Sequence, residues 1–128
     1  MPPADCPELA RFLRGRRHPG GFTHREHVRM AFELLRRRDF PESLLEYSRA
    51  LRVMLEKAGR PEAFNQTVTV AFLSLISERM QGQDWCDFET FARGNPDLLG
   101  KAILARWYRP QRLACEAARR TFVLPDPA

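Results

Sequence analysis

Apolar residues recur along most of this chain at three- and four-residue intervals, the period of one helix face. Leu9, Phe12 and Leu13 follow Pro7, a residue suited to a first helical turn, and predict a short helix over about 5–14. Gly15, Pro19, Gly20 and Gly21 predict a loop. Val28, Ala31, Phe32 and Leu35, widened by Met30 and Leu34, then form an apolar stripe on a helix predicted over about 24–38. Thr23 and Glu26 stand at capping-box spacing at its start, and Phe22, just ahead of the cap, is placed to pack on His27.

Pro41 restarts the chain, and Leu44, Leu45, Tyr47, Ser48, Leu51, Met54 and Leu55 carry a helix from about 40 to 58, closed by Gly59. The short connection makes it an antiparallel neighbour of the helix before it. Thr67 to Val70 is β-branched throughout and reads locally as a strand. Helical spacing of Phe64, Val68, Ala71, Phe72 and Leu75 runs too long for a strand, however, and no second strand exists to pair with it. A buried helix over about 61–80 is therefore expected at the centre of the core. Beyond it, Asp84 is expected to cap a short helix ended by Gly94, Asp97 to cap another, and Pro110 to open a last helix that Pro125 stops. The predicted fold is all-α, one compact domain over residues 1–128, with six to seven helices around the helix at about 61–80.

Composition supports a soluble globular chain long enough to bury its own core: 44% of 128 residues are hydrophobic and 29% charged. No apolar run reaches the roughly 20 residues of a membrane span, and Met1 to Pro7 shows no basic region followed by an apolar one, so a cytoplasmic location is the expectation. Cys6, Cys86 and Cys115 are odd in number and widely spaced, which disfavours a disulfide framework or a zinc ribbon; Cys115, in a predicted helix, is the one expected to be buried. The net charge of +5 raises nucleic acid as a partner. Basic residues are interleaved with Glu and Asp over every predicted helix, however, and only Lys57 and Lys101 are lysines, so nucleic acid is disfavoured.

Three stretches resemble those of a family of small, largely uncharacterised bacterial proteins of similar length. They are Phe22-Thr23-His24-Arg25-Glu26-His27-Val28, Phe64-Asn65-Gln66-Thr67-Val68-Thr69, and the run from Arg112 to Asp126 with Ala118-Arg119 and Pro125-Asp126. The family pattern is Phe-x-His-x-x-His, then Tyr-His or Tyr-Asn before Glu-Thr-x-Thr, then Leu-x-Ser-x-x-Ala-Arg with Pro-Asp soon after. The resemblance covers roughly residues 22–126 and implies an all-helical fold without implying a reaction. This chain has Asn65-Gln66 where relatives often show His-Glu, and Cys115 where they show Ser, which removes two groups a metal site would want.

The candidate chemistry centres on His24 and His27. Three apart on a helix, their Cβ atoms lie about 5–6 Å from each other, so both can approach one ligand or one ion. Zinc would need a third ligand, for which Glu33, Glu46 and Glu62 are candidates, and the His-Glu-x-x-His arrangement is absent. The plainer alternative has His24 accepting from free amides of the first turn and His27 as a hydrogen-bonded core histidine. Thr67 is expected to be buried, with its hydroxyl partnered on the histidine-bearing helix. Arg119 is either an anion anchor or the partner of Glu33, Glu46 or Asp126.

These residues define the leading expectation, a polar interhelical pocket lined by His24, His27, Asn65 and Thr67 with Arg119 as anion anchor. It would take a small molecule, or less favourably a metal at His24 and His27; no other cofactor is indicated. The competing expectation is an accessory module in which the same residues are purely structural and the surface meets a protein partner or a second copy. Nucleophilic catalysis finds no support, since no nucleophile elbow, P-loop or dinucleotide fingerprint is present.

Overall fold

The computed structural model describes residues 5–127; residues 1–4, which begin the stretch read for a secretory signal, and residue 128 lie outside that range. The fold is all-helical. Its α-helices are α1 (Pro7–Leu13), α2 (His24–Leu35), α3 (Phe40–Lys57), α4 (Gln66–Met80), α5 (Phe88–Gly94), α6 (Pro110–Ala114) and α7 (Glu116–Arg120). Short 3-10 turns cover Pro61–Ala63, Pro96–Leu99 and Lys101–Arg106. No strand occurs among the described residues, so the helical period of 64–75 prevails over the β-branched run at 67–70.

The capping residues set the boundaries. Thr23 accepts from the Glu26 amide and Asp39 from the Glu42 amide, starting α2 and α3. The α2 helix stops at Leu35, three residues earlier than its periodicity suggests, because the Arg37 and Arg38 amides both turn back to the Leu34 carbonyl. The central helix starts at Gln66 rather than near Pro61. Asn65 is extended and its Oδ1 accepts the Val68 amide at 3.0 Å, which makes it an N-cap and leaves Pro61–Ala63 as a separate turn. Asp87, accepting the Thr90 amide at 2.8 Å, caps α5 in place of Asp84. The helix expected after Asp97 is two 3-10 turns separated by Gly100, whose backbone is extended.

The α2 helix packs against α1, α3, α4 and α5, and α4 packs against α2, α3 and α7, so the two helices share the centre. Val28, Met30, Ala31, Phe32 and Leu34 of α2 are almost wholly enclosed, alongside Leu73 and Ile76 of α4 and Phe12, Phe91 and Leu98 from the flanking elements. Burial of this apolar surface is the main stabilising contribution. Glu33 is buried in the same helix because Arg37 grips both its carboxylate, at 2.8 Å, and its backbone carbonyl, at 2.7 Å. Cys6 is the buried cysteine; Cys86 and Cys115 are exposed, contrary to the expectation for Cys115.

The last predicted helix is broken in two at Cys115, and the cause is visible one residue-pair back. A continuous helix would give the Leu113 carbonyl to the amide of residue 117. Here that carbonyl accepts instead from Asn65 Nδ2 at 2.7 Å, and Cys115 is extended. Residues 121–126 then fold back as a strap, with the Tyr108 hydroxyl donating to the Val123 carbonyl, Arg112 to the Leu124 carbonyl and the Arg109 amide to the Asp126 carboxylate.

Candidate functional site: a cavity between three helices

A cavity of about 560 Å³ lies between α2, α3 and α4, within the size range of small-molecule sites. His24, His27 and Ala31 of α2 form one wall, Tyr47, Leu51 and Met54 of α3 a second, and Thr69, Phe72 and Leu73 of α4 a third. Phe22, Leu104 and Leu113 complete a mostly apolar lining. Thr23, Arg60, Ala63 and Lys101 also line it and are exposed, which places the mouth among these residues.

His24 is half-buried and its Nε2 lies 3.1 Å from the Leu98 carbonyl. A carbonyl only accepts, so Nε2 carries the proton and Nδ1 keeps the lone pair. The expected bond from a free first-turn amide is replaced by this contact to Leu98, which the Pro96–Leu99 turn presents. Arg79 holds that turn, donating to the Asp97 carboxylate at 3.0 and 2.8 Å and to Asn95 Oδ1 at 3.0 Å. The Arg79 hydrogen bonds keep the Asp97 carboxyl depressed, at about 2.

His27 packs edge-on against Phe22, ring centroids 4.5 Å apart, as the sequence suggests. Its Nδ1 lies 3.2 Å from Tyr47 Oη, and that hydroxyl is also 3.2 Å from the His27 backbone carbonyl. The one phenolic proton goes to the carbonyl, so Nδ1–H donates to Oη and Nε2 is left as an unprotonated acceptor. No hydrogen bond to Nε2 occurs among the described residues, and Arg17 Nη1 is the one fully enclosed unpaired side-chain atom there, so Nε2 keeps some exposure on a ring that lines the cavity. Burial, with the positive charges of His24 and Lys101 adding to it, lowers the His27 imidazole to about 4. Burial likewise lowers His24, against the opposing Leu98 bond. Both rings are neutral at ordinary pH. Burial pushes the Tyr47 phenol far above its usual range, so it serves as a hydrogen-bonding group and not as a base.

Among the expected pocket residues, the structure brings His24, His27 and Asn65 to this cavity. Thr67 is buried but turned away from it: its Oγ1 donates to the Thr121 carbonyl at 2.9 Å and accepts the Val123 amide at 3.1 Å. Its partner is therefore the C-terminal strap, not the histidine-bearing helix. Thr69, two residues on, reaches the cavity, with its hydroxyl donating to the Asn65 carbonyl at 2.9 Å. Arg119 lies in a separate shallow groove with Arg52, Glu56 and Phe64. The carboxylates expected to pair it are engaged by other arginines: Glu33 by Arg36 and Arg37, Glu46 by Arg38, and Asp126 by Arg112. The same ion pairs take Glu33 and Glu46 out of use as metal ligands, and no group of three His, Cys, Asp or Glu suited to a metal occurs among the described residues. Two imidazoles whose centroids are 6.4 Å apart do not fill the three or four positions zinc takes.

Sequence reasoning missed Tyr47 and Lys101. Tyr47 had a signal, since a tyrosine inside an apolar stripe needs a partner for its hydroxyl. Lys101 had a fainter one, as one of two lysines in an arginine-biased chain. Compared with family models, curated proteins and solved structures, the chain finds no match in any of the three.

Proposed function

We propose that this chain is a small helical binding protein whose ligand is a small molecule held in the cavity beside His27, without a metal. The observation that carries the reading is His27 itself: a partly buried neutral imidazole, fixed in one tautomer by Tyr47, with its acceptor nitrogen left unpaired on a ring that lines a cavity of about 560 Å³. A fixed acceptor without a protein partner, on a ring that lines a mostly apolar cavity, is the pattern of a ligand-orienting group. The three stretches that resemble the bacterial family support the same reading, because they meet here. Phe22 and His27 come from the first, Asn65 from the second, and Leu113, whose carbonyl Asn65 binds, from the third. We further propose membership of that family and a cytoplasmic location, with three free cysteines in support.

Amide NMR spectra recorded while small aromatic fragments are added test the reading. Shifts should concentrate at Phe22–Val28, Asn65–Phe72 and Lys101–Leu104 and leave the groove around Arg119 unmoved. Shifts confined to the outer surface, or none from any fragment, would count against it.

A further inference from the structure

Resting on that reading, we infer that the cavity selects molecules with an apolar aromatic body and a weakly acidic hydroxyl, of the phenol or enol class, whose O–H donates a hydrogen bond to His27 Nε2. The chemistry of the walls sets each part of this. Phe22, Phe72, Met54 and Leu73 offer the body an apolar, partly aromatic surface, while His27 Nε2 accepts and cannot donate as long as Nδ1 is committed to Tyr47. His24, whose Nε2–H is committed to Leu98, likewise has only a lone pair to offer. A ligand that brings an acceptor, such as a ketone or an ether, meets lone pairs from both rings and leaves them unpaired. A ligand that brings a hydroxyl satisfies one.

Charge narrows the class further. Lys101 lines the same cavity; burial is the main cause that lowers both imidazoles, and the Lys101 charge adds a smaller repulsion to each. An ammonium lining the same cavity opposes a cationic ligand and favours electron density on the oxygen of a hydroxyl that donates a hydrogen bond. A ligand carrying a full carboxylate is disfavoured at the imidazoles, because its oxygens, like the two free ring nitrogens, only accept. The favoured polar group therefore lies between alcohol and carboxylate in acidity.

Three probes of one size test this on the full chain: 1-naphthol, 1-methoxynaphthalene and 1-naphthoate, followed by calorimetry or fluorescence at neutral pH. Binding of 1-naphthol at least tenfold tighter than its methyl ether, and tighter than naphthoate, is the expected result. His27→Leu should reduce 1-naphthol to the level of the ether, and Tyr47→Phe, which frees the tautomer, should narrow the gap without abolishing it. Equal binding of naphthol and ether overturns the inference while leaving the cavity as a binding site. Tighter binding of naphthoate overturns it in favour of an anion subsite at Lys101. If none of the three binds, the binding function falls with it. Should His27→Leu fail to fold, the comparison of probes on the unaltered chain decides alone.

Discussion

A histidine on the inner face of a helix is ordinarily kept neutral by its surroundings, and His27 shows how much that costs in acid. Its ring is lowered from the usual value near 6.5 to about 4, so the unfolded chain binds the proton more readily than the folded one. Stability from this group is complete above about pH 6.5 and drains away as pH falls toward 4, by on the order of 3 kcal/mol. Urea unfolding at pH 7.5 and pH 5 should show about 2 kcal/mol of that loss, and His27→Leu should reduce the slope between them; a wild-type profile without slope would refute the assignment. Thr67 makes a second residue-scale prediction. Thr67→Val keeps the shape but strands the Thr121 carbonyl and the Val123 amide, at a cost of about 2–3 kcal/mol by thermal or chemical unfolding. Zinc titration offers a third: with only two imidazoles presented, equimolar Zn²⁺ should leave the His24 and His27 ring signals in place. Both histidines were legible as a pair from their spacing. Which nitrogen of each is free was not, because the tautomers depend on Leu98 and Tyr47, neither of which lies within the same helix.

Elements read from the sequence best where a capping side chain and a stripe agree, as at Thr23. They read worst where a distant group competes for backbone bonds. The segment 110–123 carries a continuous helical pattern, yet Asn65 takes the Leu113 carbonyl out of the ladder and the helix divides into α6 and α7. No local pattern could announce that, since the competitor is 48 residues away. Asn65 is thus both the N-cap of α4 and the brace of α6. Asn65→Ala should cost about 2 kcal/mol, roughly one for the cap and one for the lost bond to Leu113. Amide exchange should quicken at the start of α4 and through 110–116 together; quickening at α4 alone would show that the brace contributes nothing.

At the scale of the whole molecule, a net charge of +5 suggests a basic face, but about half of the arginines are engaged by carboxylates. Among the described residues ten arginines stand in ion pairs, including Arg17 with Glu26, Arg25 with Glu89 and Arg79 with Asp97. Several pairs join separate elements, and exposed ones contribute little each. The charge is therefore distributed, and the chain should pass through a duplex-DNA column unretained at about 150 mM salt, where retention by a concentrated phosphate-binding face would persist. No helix among the described residues is long and apolar enough to cross a membrane. The all-helical class was legible from periodicity alone; the cavity was not, because its walls come from three helices and a loop whose relative placement no spacing encodes.

The C-terminal strap has a consequence in time. Thr67 lies at the heart of the bundle, yet both partners of its hydroxyl come from 54 and 56 residues further along the chain. During synthesis α4 emerges with that hydroxyl facing nothing, and it stays so until residues 121–126 have left the ribosome. Completion of this bond set thus waits on residues 121–126, and a chain interrupted before Thr121 would leave the Thr67 hydroxyl without either partner.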